Sequence, residues 1–249
     1  MFVLPVSGVP VWLRTPEGDD ELLLAESAGN LLHLRVEAVR RLTPPMNAGL
    51  NWNDLPYADV DAALLAFRQR MTGDRLIAEV RCPNCAVWCD TELSVSAYLA
   101  ANKPKRLANV NPEPDGWYSW RDLRFRVPTV NAVLEAANSA DDAATVLFQY
   151  SVAAPSPATA ARAASLLEKM APPLAGMVRG MCPHCAQTIV GWFDPGSFVL
   201  TELQNKASVV FEHVHILAQA YGWSEAAILA LPSRRRALYA ARVEQDRIN

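Results

Sequence analysis

The chain has 249 residues, 51% of them hydrophobic and 20% charged, the composition of a globular protein long enough to bury a sizeable core. Its formal net charge of -3 gives no general attraction to nucleic acid or anionic membrane, and no apolar run approaches the ~20 residues that cross a bilayer. The start lacks a basic region and is broken by Pro5, Gly8 and Pro10, which makes a poor secretory signal; the expectation is a soluble protein made in the cytoplasm.

Val3, Val9, Val11 and Leu13 alternate with turn formers, predicting one or two short strands that a turn at 15–21 ends. Residues 22–42 read as helix with a boundary near Gly29. Asp54–Met71 is a clearer helix: Asp59 can cap it, Val60, Leu64 and Phe67 share one face, and Gly73 stops it. Residues 75–95 then read as strand, knuckle, strand around Cys82 and Cys85. Residues 103–171 change character, a Pro-rich aromatic stretch leading into Ala-rich helices with expected starts at Thr129, Ser139 and Thr159, and a linker composition at 153–160. A second strand–knuckle–strand surrounds Cys182 and Cys185 before Asp194-Pro195-Gly196 turns the chain, so the two segments form a faint internal repeat. Helices follow, with a break at Pro232.

The expected architecture is α+β: a small zinc-ribbon-like β core of two Cys-Pro-x-Cys knuckle hairpins, a helical insertion and a C-terminal helical region. The segments are 1–53 (strand and helix), 54–102 (first helix and first knuckle hairpin), 103–171 (mainly helical insertion), 172–200 (second knuckle hairpin) and 201–249 (C-terminal helices).

Four of the five cysteines lie in the two Cys-Pro-x-Cys turns. A structural zinc ion takes four ligands in a tetrahedron, and each such turn supplies two convergent sulfurs. Cys82, Cys85, Cys182 and Cys185 are therefore the expected ligands of one structural Zn²⁺. With the shell filled, no position is left for a reacting water. Ordinary ribbons join their hooks by ~15 to 20 residues; here residues 86–181 intervene, so one ion would staple distant segments together. The competing readings are reduced buried cysteines and a thioredoxin-like redox pair, but neither turn opens a helix after a strand as redox cysteines do. Arg81 and Arg179 beside the turns can offset the thiolate charge. Cys89 reads as a small buried residue, and His184 as a solvent-facing turn residue.

No catalytic constellation is present. Asp141-Asp142 and Asp19-Asp20-Glu21 suit a helix start and a turn, His213 and His215 point to different faces of a helix, and no nucleophile elbow or phosphate loop occurs. No small-molecule substrate is expected. At the end of the chain, Arg234, Arg235 and Arg236 open the last helix, where positive charge opposes the dipole. They read either as a solvated face or as a surface for an acidic partner.

The segment 214–244 resembles the C-terminal signature of the baseplate-hub and tail-assembly proteins of contractile-tailed phages and related contractile injection systems. The match is at Val214, His215, Leu217, Ala218, Tyr221, Trp223, Glu225, Ile228, Leu231, Pro232, Arg235, Arg236 and Tyr239, with His213 where the signature has an acid. Support comes from Phe125–Thr129, the run after the second hook and the two Cys-Pro-x-Cys turns. The resemblance implies a non-enzymatic component that binds other baseplate or tail proteins, acts in the cytoplasm during assembly and either leaves or stays in the particle. Trp117, Trp120, Tyr221, Trp223, Arg234, Arg235, Arg236 and Tyr239 are the candidate partner-binding residues, being of the types that interfaces favour. The alternative is a zinc-ribbon module that binds nucleic acid through the arginines, against which the overall acidity argues.

Overall fold

A computed structural model describes residues 1–27, 31–46 and 49–248 and has a mixed α+β architecture of helices and small antiparallel sheets. A hairpin of β1 (Phe2–Val3) and β2 (Pro10–Val11) opens the chain, followed by α1 (Gly18–Glu26) and α2 (Leu31–Leu42). The expected turn at 15–21 is in its second half the start of α1. Asp19, Asp20 and Glu21 fill the first helical turn, where carboxylates favour the positive end of the dipole. The expected boundary at Gly29 lies outside the described residues.

Helix α3 (Ala58–Thr72) is the centre of the main core. Every residue from Val60 to Phe67 is buried, Asp61 included, because α2 and α8 (Pro195–Ala207) pack against the helix. Asp59 does not cap this helix. Its carboxylate accepts instead from the amides of Val6 and Ser7 at 2.8 and 2.9 Å, pinning the tip of the N-terminal hairpin to the core. Gly73 ends α3 at φ 89°, a conformation that glycine adopts without a Cβ clash.

β3 (Arg75–Arg81) and β4 (Trp88–Ser94) form the first knuckle hairpin, and α4 (Val95–Ala101) follows at once, capped by Ser94. The second hairpin, β8 (Gly176–Met181) and β9 (Thr188–Phe193), runs straight into α8. Asp194 therefore caps a helix where a turn was expected, accepting from the Ser197 amide, with Pro195 at the first helical position where a missing N–H costs nothing.

The segment between the hairpins is more than a helical insertion. Residues 111–126 form a three-stranded antiparallel sheet of β5 (Asn111–Pro112), β6 (Trp117–Trp120) and β7 (Leu123–Arg126). Helices α5 (Val130–Asn138), α6 (Ala143–Ser151) and α7 (Pro157–Met170) follow. Leu123, Phe125, Val152, Ala163 and Leu166 give this region a small core of its own. Thr129 caps α5 as expected. Ser139 ends that helix, and Asp142 starts the next. For α7 the cap is Ser156, with Thr159 three residues on as its reciprocal partner in a capping box, so the linker-like composition at 153–160 is mostly a helix start.

The C-terminal region comprises α9 (Val209–Tyr221), α10 (Glu225–Leu229) and α11 (Ser233–Ile248), joined by a core of Ile216, Leu217, Ile228, Ala240 and Val243. α10 lies directly on the first turn of α1. A Cβ built on Gly18 would fall 2.5 Å from the Leu229 carbonyl oxygen and 2.6 Å from its Cα, both backbone atoms. Gly18→Ala is therefore expected to destabilise the protein by about 1–3 kcal/mol, measured by denaturant unfolding. Among the described residues, no helix is long and apolar enough to cross a membrane.

Candidate metal centre

Each knuckle is built the same way. The amide of the first cysteine donates across the turn, Cys82 to the Val87 carbonyl and Cys182 to the Gln187 carbonyl, and the amide of the residue after the second cysteine donates back to the first. That closing residue, Ala86 or Ala186, sits at φ 58° or 56°. A left-handed backbone at alanine costs about 1–2 kcal/mol. Ala86→Gly and Ala186→Gly are each expected to raise stability by about 1 kcal/mol, read from denaturant midpoints.

The resemblance between the two segments becomes a structural repeat. Cys82 and Cys182, Cys85 and Cys185, Ala86 and Ala186, and the helix caps Ser94 and Asp194 recur one hundred positions apart in the same places on the same elements. Cys89 falls at the position of Ile189, and both are buried under the knuckles. Its thiol donates toward the Val80 carbonyl at 3.3 Å, and it lies outside the group of four.

Two hairpins facing each other bring all four sulfurs within 4.8 Å of one another. The contacts run across the repeat: Cys82 Sγ is 3.7 Å from Cys185 Sγ, and Cys85 Sγ is 3.7 Å from Cys182 Sγ. A disulfide would need about 2.05 Å. In a tetrahedron with metal–sulfur bonds of about 2.3 Å the sulfur–sulfur edge is about 3.8 Å, so the spacing fits four thiolates around one ion.

Hydrogen bonds from the hooks favour thiolate. The amides of Cys185 and His184 draw Cys182 down to about 6. Asn84 donates its side-chain amide to Cys185 Sγ at 3.5 Å and, with the Gln187 amide, holds that thiol below its ordinary value. At Cys85 the Val87 amide acts in the same sense, but burial and the three neighbouring sulfurs override it and push the group up to about 12. Four sulfurs this close cannot all ionise without a cation between them, and a bound dication would displace the remaining protons.

Arg81 is committed elsewhere: its Nε donates to the Ala86 carbonyl at 3.1 Å, bracing the knuckle, while Arg179 points into solvent. His184 is exposed, as expected. Asn84, at the variable position of its hook, is a contributor that the ligand pattern does not reveal.

The candidate partner residues fall into three groups. Trp117 is half-buried between the guanidinium groups of Arg124 and Arg126, each 4.6 Å from its ring, and Trp120 lies 4.5 Å from Arg121 and 5.4 Å from Arg162. Their faces are already used. Tyr221, Trp223 and Tyr239 pack on one another, with ring centroids 4.8 to 6.2 Å apart, and tie α9 to α11. Arg234 and Arg235 are exposed, but Arg236 is 1% exposed and paired with Glu21 in the first turn of α1. Arg236 is thus a corrected expectation: its partner is internal, and the charge that opposes the dipole of α11 is compensated by an acid of α1.

A second polar cluster lies just beyond the second hairpin and was not anticipated. Arg35 on α2 donates Nη2 to the Asp194 carboxylate at 2.5 Å and to Ser197 Oγ at 2.6 Å, and its Nη1 lies 3.5 Å from Asp61. Burial pushes Asp61 up to about 6, an effect that Arg35 opposes and Asp194 reinforces. A Cβ on Gly196 would meet Asp61 Oδ1 at 2.4 Å, so glycine is required for the approach. The cluster locks the end of the second knuckle hairpin to α2 and α3.

Comparison with family models, curated proteins and solved structures finds no match to this chain.

Proposed function

We propose that this chain is a non-enzymatic structural or assembly protein of a contractile phage tail or injection-system baseplate, in which one Zn²⁺ held by Cys82, Cys85, Cys182 and Cys185 fixes a zinc-ribbon-like body. The tetrathiolate geometry carries the metal half of this reading. Four sulfurs fill a zinc shell, leaving the ion a structural role, and the ion joins two segments far apart in the chain. The C-terminal signature at 214–244 supports the assembly half. Its aromatic members form the Tyr221–Trp223–Tyr239 cluster, and Leu217 and Ile228 are core residues of the same unit. The motif therefore corresponds to a folded helical module.

The nucleic-acid reading loses support from the burial of Arg236, which leaves two exposed arginines at the start of α11. Affinity purification from cells that produce the whole particle tests the assembly role. Stoichiometric association with neighbouring tail or baseplate proteins is expected, and a monomer free of them throughout assembly would refute it. A salt-dependent shift of labelled DNA at physiological ionic strength would favour the alternative.

A further inference from the structure

The internal repeat provides its own control for surface chemistry. On the outward face of the first hairpin the cross-strand pairs are Ile77 with Glu92, Glu79 with Asp90, and Arg81 with Trp88. At the same positions of the second hairpin the pairs are Met177 with Trp192, Arg179 with Val190, and Met181 with Thr188. Glu79, Arg81, Asp90 and Glu92 thus become Arg179, Met181, Val190 and Trp192. The first copy also exposes Ile77 (48%) and Trp88 (61%) on this face, but the fold does not demand apolar side chains at the positions of Met181, Val190 and Trp192, where the first copy has Arg81, Asp90 and Glu92.

Yet four large apolar groups project into solvent together: Met177, Met181, Val190 and Trp192 are 61%, 70%, 47% and 67% exposed. Contiguous apolar patches of this kind mark interaction sites, and Trp, Met and Arg are enriched in interface cores. Arg179 sits in the middle of the patch, exposed and without an ion pair among the described residues. An apolar surface closing over an unpaired guanidinium would pay its desolvation, so a fitting partner supplies a carboxylate at that point.

We propose that the outer face of the β8–β9 hairpin is a docking surface for another protein of the assembly, one presenting an apolar segment with a carboxylate opposite Arg179. This rests on the assembly role above and places the contact on the metal-clamped hairpin, away from the arginines of α11.

The test is site-specific photocrosslinking in particle-producing cells, with p-benzoylphenylalanine in place of Trp192 or, as the control, of Trp88. A crosslink from position 192 to an apolar, Asp- or Glu-containing peptide of one other protein is expected, with little from position 88. Arg179→Glu should lower its yield at least tenfold, Arg179→Lys should keep most of it, and reversing the partner's carboxylate should restore it in Arg179→Glu. Met181→Ser with Trp192→Ser should leave metal content and the isolated protein's melting temperature unchanged. A crosslink to a second copy of this chain, to nucleic acid, or equally from position 88 would overturn the proposal, as would a lowered melting temperature in the serine variant. Association with tail proteins without a crosslink at 192 would overturn this surface and leave the assembly role standing; loss of both would remove the assembly role as well.

Discussion

Cys82→Ser and Cys182→Ser are each expected to abolish metal binding, taking elemental analysis of the reduced protein from about one zinc per chain to none, and to unfold the same unit. The reason is geometric: each sulfur contacts one from the opposite hook, Cys82 with Cys185 and Cys182 with Cys85, so no hook is complete alone. Structural zinc contributes roughly 10 to 16 kcal/mol in zinc-finger peptides, comparable to the whole stability of a domain. Because both substitutions remove the same site, the double variant should be hardly less stable than either single one. Additive losses would mean two independent sites and end the shared-centre model. Cys89 is the internal control. It is buried beneath the centre but belongs to the strand, and Cys89→Ala is expected to retain full metal content at a packing cost of about 1 kcal/mol.

Replacing Arg35 by Leu is expected to cost about 3–5 kcal/mol at neutral pH, since it strands two carboxylates, Asp61 and Asp194, in a site built around one guanidinium. The pH dependence gives a sharper signature. Asp61 has its affinity for protons raised from an ordinary 3.8 to about 6 by burial. The folded state therefore binds more protons than the unfolded state between those values. The stability this group contributes is fully present below 3.8 and is lost as pH rises through about 6. Urea unfolding at pH 4.5 and 7 should show wild type losing about 2 kcal/mol relative to Asp61→Asn over that interval. In Arg35→Leu the slope should steepen, because the cation that holds Asp61 down is gone. A wild-type profile parallel to that of Asp61→Asn would show that Asp61 ionises freely in the fold.

The two clusters are mechanically continuous. Asp194 ends β9, caps α8 and receives Arg35, so the strand after the second hook leads directly into the central core. Loss of metal should therefore loosen the hairpins first, with α3 and its neighbours retaining their own apolar core of Val60, Leu64, Leu65 and Phe67.

Much of this was legible because local chemistry dictates it. Cys-Pro-x-Cys turns converge two sulfurs through backbone geometry alone, alternating residues on either side form hairpins, and Gly73 and Thr129 stop or cap helices through contacts within a few residues. Where expectation failed, the competing signal was equally local but ambiguous. Ser139 and Asp142 are both good caps three residues apart, and only the packing of α5 and α6 selects the second.

The sequence by itself determined the two pairs of cysteines that could hold a metal, the two knuckle hairpins around them and the helices that follow, because each depends on residues close in the chain. Only the tertiary structure decided that the hooks face each other across the repeat, that Arg236 spends its charge on Glu21, and that Arg35, Asp61 and Asp194 share one buried site. It also turned the outward positions of the two hairpins into a comparison between a mixed face, with Glu79, Arg81, Asp90 and Glu92 beside Ile77 and Trp88, and a more apolar one. These are relations between residues tens to hundreds of positions apart, and what sets them is which apolar surfaces exclude water together; spacing along a chain carries no record of that.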